Sequence, residues 1–240
     1  KSTKNTQQIT KAMKMVSASR LRRASERATG ARPYADRVFD VHRSILSRLP
    51  EPDGSLFAQH EGKTLLVVLA GDKGLCGSFN SNILKRVKHL FDAHGEDHFT
   101  VLPIGKKAVG HFSKSDVEVL EGYSGIFRDI TFALTEEIAS RLIDAYASGK
   151  YGKVVILFNK FKNVLVQEVT EWDVLPLAAD EDLEDDGGAE HLAEPNLEAI
   201  LEELSPQVVM TRIFQTLLES CAAEHAARMT AMDAATNNAR

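Results

Sequence analysis

Apolar residues recur at helical spacing near both ends of this chain and bunch into short unbroken runs in its middle. From Thr6 to Leu49, seam positions at Leu21, Ala24, Ala28, Ala31, Ala35, Val38, His42, Ile45 and Leu49 alternate in steps of three and four, a heptad repeat that predicts a long helix packed on a partner helix. Alanine fills the middle of the seam, so the partner can approach closely while burying little area per turn. Before Leu21 the apolar set moves to Ile9, Met13 and Val16, which predicts a change of phase. Pro33 is expected to kink the helix or break one hydrogen bond, and the cluster Pro52–Gly54 to end the segment. Helical periodicity returns from Asn196 to Arg240. It begins with Leu197, Ile200, Leu201, Leu204 and Val208 and continues through Phe214, Leu217, Cys221, His225, Arg228, Met232 and Ala235, with Pro206 as a local disturbance. Polar residues interrupt this second seam. The chain begins and ends within a pattern and has no initial methionine, so residues are expected to be missing at both ends.

Between the helices the period changes. Thr64–Ala70 is a continuous apolar run, as a strand buried on both faces shows. A glycine-rich stretch follows, Gly71–Gly77, and then a helical pattern over Asn80–Ala93. His98–Pro103 and Val117–Leu120 read as strands and Asp129–Ala147 as an amphipathic helix. Lys153–Phe158 and Val164–Leu175 read as two strands of a hairpin. Alternating strands and helices predict a mostly parallel, Rossmann-like α/β sheet. The expected class is therefore α/β, with a long antiparallel coiled coil of the two terminal helices. The expected organisation is an N-terminal helix at 1–50, an α/β unit at 62–178, an acidic connection at 179–195 and a C-terminal helix at 196–240. Such a layout suggests a shaft carrying a knob.

Charge sharpens this picture. The net charge is −5, yet residues 1–48 hold twelve basic and three acidic side chains, a balance of +9, whereas Asp180–Glu190 carries only acidic charges. A basic stripe can neutralise phosphates, but no aromatic platform, zinc finger or helix-turn-helix pattern accompanies it. A solvated helix face and an acidic protein partner are the readings preferred over nucleic acid. The acidic stretch lacks periodicity and reads as an exposed loop. No apolar run approaches the roughly 20 residues of a membrane span. Nothing at the start reads as a signal peptide. Cys76 and Cys221 have no metal-ligand spacing and read as buried free thiols.

The glycine stretch invites a nucleotide-binding reading, which it does not satisfy. Its spacing is G-x-x-G-x-x-G rather than G-x-G-x-x-G, and Gly77 is followed by Ser78-Phe79 rather than by Lys and Ser or Thr. A tight turn bringing backbone close to backbone is expected instead. None of the eight histidines sits in a metal-ligand pattern, and no paired carboxylates or Ser/His/Asp set stands out. No catalytic residue, cofactor or metal is therefore expected. A nucleotide-binding α/β protein with helical extensions is the alternative.

Four stretches resemble one family together and in the same order: Lys4–Ala24 (KNTQQITKAMKMVSASRLRRA), Ala31–Ala35 (ARPYA), Gly71–Asn80 (GDKGLCGSFN) and Ser220–Ala239 (SCAAEHAARMTAMDAATNNA). They are similar to the gamma-subunit family of the F-type (F1Fo) ATP synthase. The likeness covers nearly the whole chain and is weakest around Ser113–Tyr123 and in the acidic stretch. It implies a central rotor stalk that couples a proton-driven c-ring to ATP synthesis and hydrolysis in a ring of alpha and beta catalytic subunits. The epsilon subunit and the c-ring would lie at the foot. The basic stripe would face acidic beta-subunit loops. Residue by residue it places Lys11, Met13, Lys14 and Arg20 at those loops, with Glu224, Arg228 and Met232 beside them on the opposing helix. His191, Glu194 and Pro195 fall at the c-ring foot. Lys73 stands where the family usually has arginine, and Ser78 where a second glycine is common. The cysteine pair of the chloroplast form is missing, so thiol switching is not expected. The resemblance also implies a subunit peripheral to a coupling membrane, on the cytoplasmic side of a bacterial inner membrane or the matrix side of a mitochondrial one.

Overall fold

A computed structural model describes residues 2–49, 52–177 and 196–239. Helix α1 (Ser2–Leu46) leads out, and helix α5 (Leu197–Asn238) returns along it. Between them lie β1 (Lys63–Leu69), α2 (Phe79–His94), β2 (Phe99–Ile104), α3 (Lys106–Phe112), β3 (Glu118–Val119), α4 (Phe132–Ala147), β4 (Tyr151–Phe161) and β5 (Gln167–Leu175). The five strands run in the order β3-β2-β1-β4-β5. All neighbours are parallel except β4 and β5, which form the expected antiparallel hairpin. The fold is thus the expected pair of long helices with a mostly parallel sheet between them.

The apolar strands are explained by two covered faces. Leu65, Val67, Leu69, Leu102, Ile104, Val154, Ile156 and Phe158 join the core shared with α4, α5 and α1. Leu66, Val68, Val101, Val155 and Leu157 face the core built on α2 and α3 with Ile83, Val87 and Phe112. Successive side chains of a strand point to opposite faces, so burial on both requires an unbroken apolar run. Local caps set the helix starts. Thr131 Oγ1 accepts the Leu134 N–H at 3.2 Å, and Asn196 Oδ1 accepts the Ala199 N–H at 2.8 Å.

The central seam of α1 is as expected: Leu21, Ala24, Ala28, Ala35, Val38, His42 and Ile45 are buried. Three local readings change or sharpen. Helix α3 was absent from the expectation because its seven residues are too few to show a period. Pro33 and Pro206 lie within unbroken helices, on exposed faces where water can satisfy the carbonyl each leaves free. The phase change before Leu21 does not occur. Ser17 is buried at the seam, whereas Ile9 and Val16 are 60% and 53% exposed. Polar pairs hold the seam there: Thr236 Oγ1 meets Thr10 Oγ1 at 2.8 Å, and Lys14 Nζ meets Asp233 Oδ1 at 2.6 Å.

Helix α5 is buried on nearly every side from Thr216 to Ala227, apart from the half-buried His225. It lies wedged between α1 and the sheet, with α4 beside it. A helix covered all round needs no stripe, which is why its periodicity reads weakly.

Candidate functional site: the junction of shaft and sheet

The glycine stretch after β1 fastens the α/β unit to α5. Asn80, at the start of α2, folds it locally: its Oδ1 accepts the Gly71 N–H at 2.8 Å and its Nδ2 donates to the Lys73 carbonyl at 3.3 Å. Asp72 Oδ1 accepts the backbone N–H of Lys106 at 3.0 Å and that of Gly125 at 2.8 Å, tying the turn after β1 to the turns that follow β2 and precede α4. Leu75 and Gly77 adopt left-handed φ values of 60° and 56°. These contacts aim the carbonyls of Lys73 and Gly74 at α5. Arg228 Nε donates to the Gly74 carbonyl at 3.3 Å, and Arg228 Nη2 reaches the Lys73 carbonyl at 3.5 Å.

Arg228 is held from behind by Glu224, one turn earlier on α5, in a buried ion pair; the two side chains are only 7% and 4% exposed. Two charges this deep are stable only when paired and hydrogen-bonded. The pair also explains Gly71: a Cβ there would lie 2.9 Å from the Glu224 carboxyl carbon. The sequence predicts a close approach of backbone to backbone here; at Gly71 the approach is instead to a side chain. Backbone approach occurs instead at Gly105, where a Cβ would fall 1.8 Å from the Ala70 carbonyl oxygen.

Nearby titratable groups feel burial and positive charge. Desolvation holds His225 down to about 4, and Arg228, Arg20 and Lys73 push the same way. Burial pushes the Cys221 thiol up to about 12, and it also raises Cys76. Both cysteines are buried and free, with little thiolate at neutral pH. Among the described residues no group of His, Cys, Asp and Glu is placed to hold a metal ion.

The residues singled out by resemblance divide into two sets. Met13 and Arg20 meet Arg228, Lys73 and Leu75 around one shallow groove of about 350 Å³ between α1 and the turn. Lys14 pairs across the seam with Asp233, and Lys11 stands exposed. Glu224, Arg228 and Met232 are interior, 3%, 6% and 4% exposed. They sit behind the outward set and offer little surface of their own. His191, Glu194, Pro195 and the acidic stretch Asp180–Glu190 lie outside the described residues. Asp72 and Asn80, which organise the turn, belong to the quoted motif, but only their partners reveal their roles.

Two long antiparallel helices latched to a mostly parallel α/β unit define a protein built as a shaft carrying a knob. The family model described as ATP synthase matches residues 1–240. The chain is 41% identical to the ATP synthase gamma chain of Chlorobaculum parvum over 247 residues, covering 100% of this chain and 85% of that one. It is 40% identical to that of Geotalea uraniireducens over 242 residues, covering 99% and 84%. Among solved structures, the central stalk and c-ring of the Tetrahymena thermophila mitochondrial ATP synthase matches with a TM-score of 0.72 and 29% identity, covering 95% of this chain and 99% of that chain. A rotor chain of the Euglena gracilis mitochondrial enzyme shares the fold with a TM-score of 0.56 at 16% identity. This chain belongs to the ATP synthase family, where it stands with the gamma chains as a non-catalytic component of the central stalk. No helix among its described residues is long and apolar enough to cross a membrane.

Proposed function

We propose that this chain is the rotor shaft of an F-type ATP synthase. It turns with the c-ring and presents an asymmetric surface to the alpha and beta subunits, so that rotation and ATP synthesis or hydrolysis are coupled. The observation that carries the reading is the wedge at α5. One long helix is gripped by the sheet at its middle and runs on beside α1 toward Asn238, so torque applied to the α/β unit reaches the free end of the helix pair. The organisation follows: a foot at 62–178, a connection at 179–195 with His191, Glu194 and Pro195 toward the c-ring, and two helices at 1–50 and 196–240.

On this reading the alpha and beta subunits encircle the free end, and epsilon lies beside the foot. Lys11, Met13, Lys14 and Arg20 meet acidic beta-subunit loops directly, while Glu224, Arg228 and Met232 stiffen the opposing helix behind them. The subunit is peripheral to its membrane, on the cytoplasmic side in a bacterium or the matrix side in a mitochondrion.

The test is single-molecule rotation. With the catalytic ring fixed and a bead attached to the α/β unit through an introduced surface cysteine, ATP hydrolysis drives unidirectional turning of the bead. Hydrolysis at full rate with a stationary bead overturns the proposal. Met13→Lys adds a cation to an already basic groove and to a contact that must break and re-form each turn. It lowers ATP-driven proton pumping more than it lowers assembly. Unchanged pumping and hydrolysis, or failure to assemble, shows that Met13 is not at the coupling contact.

A further inference from the structure

A second cavity, of about 720 Å³, opens beside the latch. Seven cations line it: Arg20, Arg23 and Arg27 from α1, Lys73 after β1, Lys106 after β2, Arg128 before α4, and Arg228 from α5. The three arginines recur at helical spacing and so share one face of α1. The loops come together because the carboxyl ends of parallel strands β1 and β2 lie side by side, the edge at which open α/β sheets place their ligands.

The two carboxylates in the cavity leave most of this charge uncompensated. Glu224 is consumed by Arg228, and Asp72 Oδ1 by the two backbone N–H groups of Lys106 and Gly125. Arg27 spends one N–H on the Ile130 carbonyl at 2.6 Å. Among the described residues, Arg20, Arg23, Lys73, Lys106 and Arg128 have no carboxylate partner. Leu218, Cys221 and Ile130 add apolar surface to the lining. His225 lines the same cavity: burial chiefly, and then Arg228 from its own helix, Arg20 from α1 and Lys73 from the turn, hold it down to about 4, with Glu224 paired to Arg228 beside it.

We propose that this cavity binds an oligophosphate anion, seated on the convergent guanidinium and ammonium groups of Arg23, Arg27, Lys73, Lys106 and Arg128. Arginine forks match phosphate oxygens in pairs and lysine supplies point charge. The volume lies in the range of small-ligand sites, about 300–1,000 Å³. The ligand is a pyrophosphate-like chain, free or carried by a nucleotide. It does not use the Gly71–Gly77 turn as a phosphate loop, because the Gly71 N–H is already taken by Asn80 and the carbonyls of Lys73 and Gly74 face Arg228.

Calorimetric titration of the full chain with inorganic pyrophosphate tests this. Saturable one-to-one binding is expected, weakened about tenfold or more in Arg23→Gln and in Arg128→Gln, since each removes a charge-assisted hydrogen bond. Arg37→Gln removes the same charge from α1 away from the cavity and stays within about twofold of wild type. Saturation raises the His225 pKa, followed by NMR. ATP binding tighter than pyrophosphate identifies a nucleotide as the source, and equal affinity identifies the phosphate chain alone. Three results overturn the proposal: no saturable binding, equal weakening by Arg37→Gln, or tighter binding of a poly-glutamate peptide with the same dependence on Arg23 and Arg128.

Discussion

The two halves of the helical shaft are built on opposite plans. From Thr211 to Arg228, α5 is clamped between α1 and the sheet, and even a glutamate and an arginine are buried there. Beyond Thr230, whose Oγ1 still donates to the Val164 carbonyl at 3.3 Å, it packs on α1 across a seam of threonine, methionine and a lysine–aspartate pair. There the apolar residues Ile9, Met15 and Val16 face outward. The first half is held by its own chain. The second leaves apolar surface uncovered, as a segment enclosed by partner subunits would. Stability and partner contact are thus separated along one pair of helices.

The sharpest break of this contrast is Arg228→Met. It strands the Glu224 carboxylate and releases the turn, and is expected to lower the unfolding free energy by about 3–5 kcal/mol in urea titration. Adding Glu224→Gln should recover much of that loss. A loss below about 1 kcal/mol for the single variant shows that the latch carries no stability. Leu217→Ala, in the clamped half, leaves a cavity beneath a residue with no exposed surface and should cost about 2–4 kcal/mol.

Acid sensitivity should also map to the clamped region. His42 is held down to about 4, chiefly by burial and then by Arg212, and His225 to about 4 as well. Both folded values lie below the ordinary 6.5, so the unfolded chain takes up protons first as pH falls. Their contribution is complete above about pH 6.5 and is lost as pH drops from 6.5 to 4. His42→Leu should remove roughly half of that slope in unfolding measurements at stepped pH. The carboxylate of Glu118, held near 2 mainly by Lys150 and then by Lys63, acts at lower pH and is separable.

The smallest effect on the chain itself should come from Val16→Ser. On an exposed position it is expected to change stability by less than about 0.5 kcal/mol, yet to weaken assembly with the catalytic ring. Full assembly and full coupling in this variant would remove the argument that the outward apolar face is a partner surface.

The sheet was legible because its central strands β1, β2 and β4 are largely apolar on both faces, and the central seam of α1 because alanines recur at heptad spacing through Ala35. The site was legible only in part. The glycine motif marked the place, and its spacing argued against a phosphate loop. Nothing in the order of residues said that Gly71 is small to clear Glu224, or that Asp72 bridges two distant turns. The N-terminal seam misled because apolar residues there face outward while Thr10, Lys14 and Ser17 face inward. Hydropathy alone cannot tell a surface kept for a partner from a core.

What the sequence by itself determined is local: where helices and strands run, which strands are buried on both faces, and the long helical pairing that a repeat of small residues permits. These follow from periodicity, which the backbone geometry of each element imposes directly. The tertiary structure decided how α5 is shared between α1 and the sheet, which charges are buried together, and which cations converge at the ends of β1 and β2. Those depend on contacts between residues far apart in sequence: Arg228 and Lys73 are 155 positions apart, and Thr236 and Thr10 are 226 apart. Their energies exist only once packing has removed water from between them.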